Sequence, residues 1–393
     1  MTAIVETIRR DAAGLASARE PLDAELFASG VLAMWHPDMP DNAEPLDILG
    51  KAVIQRLAGR ADPDVFALLL AIAALGTSPF DAAARAAVEQ LRKSGIPEPV
   101  WGRSIGRPTL VDAWISWDEL DDQANLLAAF AHDHRPPHAV NLIIDANFQG
   151  LIRDAFVAEH PDKVRREWVA ASGLPIRPLS EQALADILGQ GIEMFDVYLD
   201  PPVTDEASRL MPLIRARLRL LPAPRPFERP ETSDRERDEL VKAFAISPDA
   251  SGLPEAGPGP TADLARWFVD FACDYGAGDP LRWSPIAVET LLADWLPRKA
   301  ILEPDEIEAL PETLRCFVRF SGRRKGLADH LVAETLDAVN QFARNFIEGM
   351  ADDDRAGPAK QILAGLRDSG VDLTDQAAIQ RWMDERNESL RLD

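Results

Sequence analysis

The chain has 393 residues, 46% of them hydrophobic and 27% charged, so it is long enough for more than one buried core and too apolar to be disordered. Its net charge of −23 excludes a general affinity for nucleic acid or anionic membranes, since both require positive surface. With two cysteines, no apolar stretch in the opening MTAIVETIRRDAAG and no apolar run longer than Val65 to Leu75, the composition excludes a disulfide framework and a membrane span and leads us to expect a cytoplasmic protein.

Residues 1–20 read as a weakly held terminal segment. From Pro21 the pattern is helical, with Leu22, Leu26, Phe27 and Val31 as the apolar face and Pro37 as the stop. A second helix is expected around Leu46 to Leu57. A third starts with Asp62 as N-cap and Pro63 in the first turn, and Gly76 ends it. It is apolar nearly all round, which predicts full burial. Ser78 and Pro79 open a fourth helix, closed by Gly95.

After the irregular IPEPVWGRSIGRP, the pattern changes to alternation. Val111, Ala113, Ile115 and Trp117 share one strand face. Asn125 to His132 is a second strand and Ala139 to Asp145 a third, with Val140, Leu142 and Ile144 on one side. Asn147 then caps a helix bearing Phe148, Leu151, Ile152, Ala155 and Phe156. Gly173 to Pro178 is a candidate fourth strand. Ser180 and Thr204 start two more helices, the second kinked or restarted at Pro212.

Prolines and glycines crowd residues 222–260, which reads as a linker around a short helix. Beyond it the chain is helical. Ser284 and Pro285 open one helix, the longest runs from about Leu327 to Met350, and Thr374 caps the last. The expected class is α+β, predominantly α-helical. A small antiparallel β-meander of three to four strands lies between an N-terminal helical layer (1–107) and a C-terminal helical domain (261–393), and residues 108–221 form the small α+β unit packed on that layer.

The ending GVDLTDQAAIQRWMDERNES resembles the C-terminal segment of uncharacterised proteins from GC-rich, actinobacterial-type genomes. The resemblance covers about twenty residues and implies no activity.

Candidate chemistry concentrates in residues 132–147. If His132 ends one strand and His138 begins the next, the two are cross-strand neighbours around the loop DHRPP, with His134 in the loop. That spacing suits a shared divalent metal; the plain alternative is a polar loop. Asp145 and Asn147, at a strand end before a helix, sit where catalytic groups often do, and equally where a helix is capped. Strand parity puts His138 and Asp145, seven residues apart, on opposite faces.

Weaker patterns have structural explanations. Gly102-Arg-Ser-Ile-Gly106 matches a nucleophile elbow but lacks the flanking strand and helix. Asp118, Glu119, Asp121 and Asp122 read as a hairpin turn, and Asp352 to Asp354 as a solvated run. His330 and Glu334 share a helix face and read as a surface pair. Arg209, Arg215, Arg217, Arg219 and Arg225, like Arg323, Arg324 and Lys325, are basic runs without interleaved aromatics, expected to pair with surplus carboxylates. No cofactor motif is present. Three readings follow: a non-catalytic interaction or scaffold protein that binds itself or another protein, using its nine tryptophans as interface anchors; a metal-dependent hydrolase centred on 132–147; and a nucleic-acid regulator using 209–225, which the net charge opposes.

Overall fold

The structure, a computed structural model, describes all residues except 36–42, 199–200, 230, 254–258, 353–354, 356, 358–359, 363–364, 367–368, 372–374 and 390–393. The features expected at Pro37, Asp353, Asp354 and Thr374 lie outside the described residues. The chain divides into two compact units, Met1–Glu228 and Arg229–Asp393. It is α+β and predominantly helical, with one five-stranded antiparallel sheet among the described residues. No helix there is long and apolar enough to cross a membrane.

The first unit begins with five helices: α1 (Thr2–Asp11), α2 (Pro21–Ala33), α3 (Ala43–Ala58), α4 (Pro63–Leu75) and α5 (Phe80–Lys93). The start of the chain is docked, contrary to expectation. Val5, Ile8 and Ala12 are buried, and the Asp64 carboxylate accepts hydrogen bonds from the Gly14 and Ala16 amides. Asp62 caps α4 as its sequence requires, accepting from the Asp64 and Val65 amides.

The buried face of α2 differs from the expected one. Of the expected residues only Val31 is buried, while Leu22, Leu26 and Phe27 are half-buried; Ala24, Glu25, Ala28 and Ser29 are fully buried, with Leu32 beside them. Small and polar residues win this face because α2 meets another helix closely there, and that helix supplies partners for Glu25 and Ser29.

The sheet has strand order β4-β3-β2-β1-β5, built from β1 (Thr109–Trp117), β2 (Gln123–Ala131), β3 (His138–Asp145), β4 (Leu151–Ala158) and β5 (Arg177–Pro178). Two expectations fail. Val111 does not share a face with Ala113, because the register slips between Leu110 and Asp112 and leaves Val111 50% exposed. The segment after Asn147 is not a helix. After a single 3-10 turn (Ala146–Phe148) it becomes β4, with its own register slip opposite Ile143 and Ile144.

One sheet face, with Ala124, Leu126, Ala128, Phe130, Val140, Leu142 and Ile144, joins the main core of this unit. The other, with Leu127, Ala129 and Ala139, is packed by Val164 and Trp168 of α6 (Pro161–Ser172), and Arg165 lies over the Trp114 ring at 4.4 Å.

Two helices complete the unit, α7 (Glu181–Val197) and α8 (Asp205–Leu218), capped by Ser180 and Thr204. Pro212 lies inside α8. The Ser29 hydroxyl of α2 donates to the Arg209 carbonyl at 2.7 Å and accepts from the Leu213 amide at 3.1 Å. These are the two groups that an uninterrupted α-helix would join directly, so a neighbouring side chain bridges the ladder beside the proline.

The second unit contains α9 (Asp234–Ala245), α10 (Pro260–Asp274), α11 (Pro285–Glu289), α12 (Leu296–Lys299), α13 (Pro304–Lys325), α14 (Asp329–Met350) and α15 (Gln376–Ser389), with a π-helical turn over Thr290–Trp295. Its core is aromatic. Phe244 and Phe317 meet edge-on at 5.0 Å, and Phe268, Trp283 and Phe320 pack around them. Cys273 and Cys316 are free and buried, and burial raises both thiol pKa values.

The tryptophans do not form exposed anchors. Trp35, Trp101, Trp283 and Trp295 are buried and the other five are half-buried, so their first role is to fill cores.

Candidate functional site

Within the Met1–Glu228 unit, four ionisable side chains distant in sequence converge in the core. On α2, Glu25 occupies the buried stripe between Ala24 and Ala28. On α8, Arg217 continues the stripe of Leu210, Leu213 and Ile214. The β2–β3 hairpin contributes His132 and His138, and the loop before β1 contributes the Gly106 amide. Exposure of the four side-chain-bearing residues runs from 0% for Glu25 to 4% for His138.

Glu25 is the hub. Its Oε1 accepts from the Gly106 amide at 2.8 Å and lies 2.9 Å from His132 Nε2. Its Oε2 accepts from Arg217 Nη2. Since the carboxylate only accepts, His132 Nε2 carries the proton. The same Arg217 nitrogen lies 3.3 Å from His138 Nε2. A guanidinium only donates, so His138 Nε2 is the acceptor and that imidazole is neutral. The two imidazole rings stack at 5.5 Å, and Arg217 lies over the Phe130 ring at 5.4 Å. Arg217 Nε and Nη1 are buried without a partner among the described residues.

Electrostatics follow from this geometry. Burial alone would raise the Glu25 pKa, but the His132 hydrogen bond and the Arg217 charge outweigh it and hold the carboxyl at about 2. His138 is pushed down to about 3, first by burial and then by the Arg217 charge.

Gly106 has to be a glycine. Its φ is +69°, and a Cβ there would fall 2.7 Å from Ala74 Cβ. The Gly102–Gly106 loop therefore delivers a backbone donor to Glu25. Its serine bonds locally, with Ser104 Oγ donating to the Trp101 carbonyl at 2.9 Å.

The three histidines considered as metal ligands do not converge. His134 is exposed, while His132 and His138 face the core. A guanidinium already points at His138 Nε2, 3.3 Å away, and its charge opposes a cation beside that ring. Among the described residues no group of three or more His, Cys, Asp or Glu side chains is arranged to hold a metal ion.

Asp145 and Asn147 organise a turn on the opposite sheet face. Asp145 accepts from the Asn147 amide at 2.9 Å and from Arg153 Nη1 at 2.8 Å, and Asn147 Nδ2 donates to Asp122 at 3.1 Å. Asp118 accepts from the Leu120, Asp122 and Gln123 amides, which makes the acidic loop a self-capped hairpin turn.

The arginine run is occupied too. Arg209 pairs with Glu206, Arg215 with Asp196, Arg217 with Glu25 and Arg225 with Asp186, while Arg219 donates to the Ala74 and Leu75 carbonyls. In the second unit Arg323 pairs with Asp249, Lys325 pairs with Asp279, and Arg324 lies over Phe320. His330 and Glu334 are both exposed on α14.

A concave pocket of about 300 Å³ opens elsewhere on the first unit. Trp35 and Phe80, 5.0 Å apart, form its wall. Asp47, Thr77, Asp196 and Arg215 bring polar groups to it.

Comparison with family models, curated proteins and solved structures yields no match.

Sequence reasoning missed Glu25 and the pocket, and it met Arg217 only as one member of a basic run. A signal existed: a single charge on an otherwise apolar or small-residue helical stripe, present once on α2 and once on α8 with opposite signs.

Proposed function

We propose that the protein is a non-catalytic cytoplasmic interaction protein whose binding surface lies on the Met1–Glu228 unit. One observation carries this reading. The groups best suited to acid–base chemistry, Glu25, His132 and His138, are buried in a hydrogen-bonded set closed by Arg217. Proton transfer at neutral pH needs a group poised near that pH, whereas Glu25 at about 2 and His138 at about 3 are far from it. The set holds α2, the sheet and α8 together and leaves the surface to do the binding.

The alternatives have less support. A hydrolytic metal would have to bind against the charge of the guanidinium beside His138, and a nucleic acid would have to compete with the carboxylates that already hold Arg209, Arg215, Arg217 and Arg225.

The test is photo-crosslinking in cells from a photoreactive residue placed at Thr77, on the exposed rim of the pocket. The reading expects one discrete protein adduct whose complex re-forms from purified components. A chain that gives no adduct and runs as a monomer by light scattering contradicts it.

A further inference from the structure

We infer that the pocket beside Trp35 accepts the guanidinium of an arginine side chain presented by a basic protein partner. This rests on the interaction reading and specifies the chemistry of its surface. The wall is aromatic and firmly backed. The α3 backbone approaches it so closely at Gly50 that a Cβ there would fall 2.5 Å from Phe80 and 2.9 Å from Trp35. With only 3% of Trp35 and 8% of Phe80 exposed, the rings form the pocket's closed inner end, where a guanidinium meets aromatic carbon without an open ring face to stack on.

The charges lining the pocket have a negative excess, two carboxylates against one guanidinium. Asp196 is taken by Arg215 in a two-pronged pair at 3.0 and 2.5 Å. Asp47 on α3 makes no ion pair or hydrogen bond through its side chain among the described residues. Its neighbour one turn on, Lys51, does not pair with it.

The adjoining end of α4 already holds one guanidinium. Arg219 Nη2 donates to the last carbonyls, Ala74 at 3.1 Å and Leu75 at 2.7 Å, as the negative end of a helix dipole favours. Gly76 and Thr77 continue directly from that end into the pocket rim. The whole chain, at −23, attracts a basic partner over the same range in which it repels an acidic one.

Binding is read by NMR on the full chain, labelled and titrated with acetyl-Gly-Arg-Gly-amide. We expect saturable shifts at the Gly76 and Thr77 amides and the Trp35 indole. They should weaken with added salt and lose about tenfold in affinity in Asp47→Asn, equivalent to about 1.4 kcal/mol. The exposed control Asp112→Asn should leave the titration unchanged. Absence of these shifts overturns the proposal, as does an equal response to the glutamine analogue of the peptide. Free arginine binding as tightly as the peptide also overturns it, by making the pocket a small-molecule site. A Thr77 crosslink to a partner without peptide shifts overturns the arginine assignment alone and leaves the interaction reading standing.

Discussion

Glu25 and Arg217 meet in the core of the Met1–Glu228 unit as a hydrogen-bonded ion pair, with 0% and 1% of their side chains exposed. Charges so deeply placed lose their hydration, and attraction alone seldom repays that loss unless further hydrogen bonds share it. Here the Gly106 amide, His132 and His138 provide those bonds. The pair thereby joins α2, α8, the β2–β3 hairpin and the loop before β1 at one point.

Removing either partner strands the other. Glu25→Ala or Arg217→Ala should each destabilise this unit by about 3–5 kcal/mol, whereas the paired replacement Glu25→Leu with Arg217→Met should recover only part of that loss, since it still leaves the Gly106 amide and His132 Nε2 without their acceptor. Urea unfolding followed by hydrogen exchange in β2 and β3 separates this unit from the other. Single variants within 1 kcal/mol of the parent would refute the structural role assigned to the pair.

Acid should weaken the unit in two stages. The folded pKa of His138 lies at about 3, below the ordinary 6.5, so the unfolded chain takes up that proton first and stability falls as pH drops from 6.5. The folded pKa of Glu25 lies at about 2, below the ordinary 4.5, so its stabilisation, complete above 4.5, is lost on further acidification. Each group contributes a slope of up to about 1.4 kcal/mol per pH unit. Replacing His138 by glutamine should flatten the segment between pH 6.5 and 5. An unchanged slope in that variant would show that His138 is not its source.

Ser29 and Pro212 should behave as a coupled pair. Ser29→Ala leaves the Arg209 carbonyl and the Leu213 amide without their bridge, at a cost of about 1–3 kcal/mol. In a Pro212→Ala background the helix can close its own ladder, so the same substitution should cost less. A double-mutant cycle measures the difference, and strict additivity would mean that the hydroxyl does not serve the proline break.

What was legible in the sequence was local. The caps at Asp62, Ser180, Thr204 and Ser284 fall where their side chains predict, because a cap needs only residues two or three positions away. The meander was legible through β3, but β4 was not. Its register slip opposite Ile143 and Ile144 leaves Leu151, Ile152 and Ala155 buried, and the spacing i, i+1, i+4 imitates a helix face. Asn147 reinforced the error, since a residue that favours helix caps also favours turns.

The buried centre was half legible. The hairpin brings His132 and His138 near each other, but His138 stands opposite Phe130 and not opposite His132, which lies just past the end of β2, so the expected direct pair becomes a diagonal ring stack. The burial of the two rings was not legible, because the elements that cover them are α2 and α8. Glu25 and Arg217 are 192 residues apart, and no periodicity links positions that far apart. Only the lone charge on each helical stripe hints that each needs a partner.

The most direct test of the central claim, that the histidine centre is structural rather than catalytic, is the protonation of His138 followed by long-range proton–nitrogen NMR on imidazole-labelled protein from pH 8 to pH 5. The account predicts a neutral ring throughout, with Nε2 unprotonated and held by Arg217. A His138 ring that titrates with a midpoint between pH 6 and 8 would contradict it and return that histidine to the list of acid–base candidates.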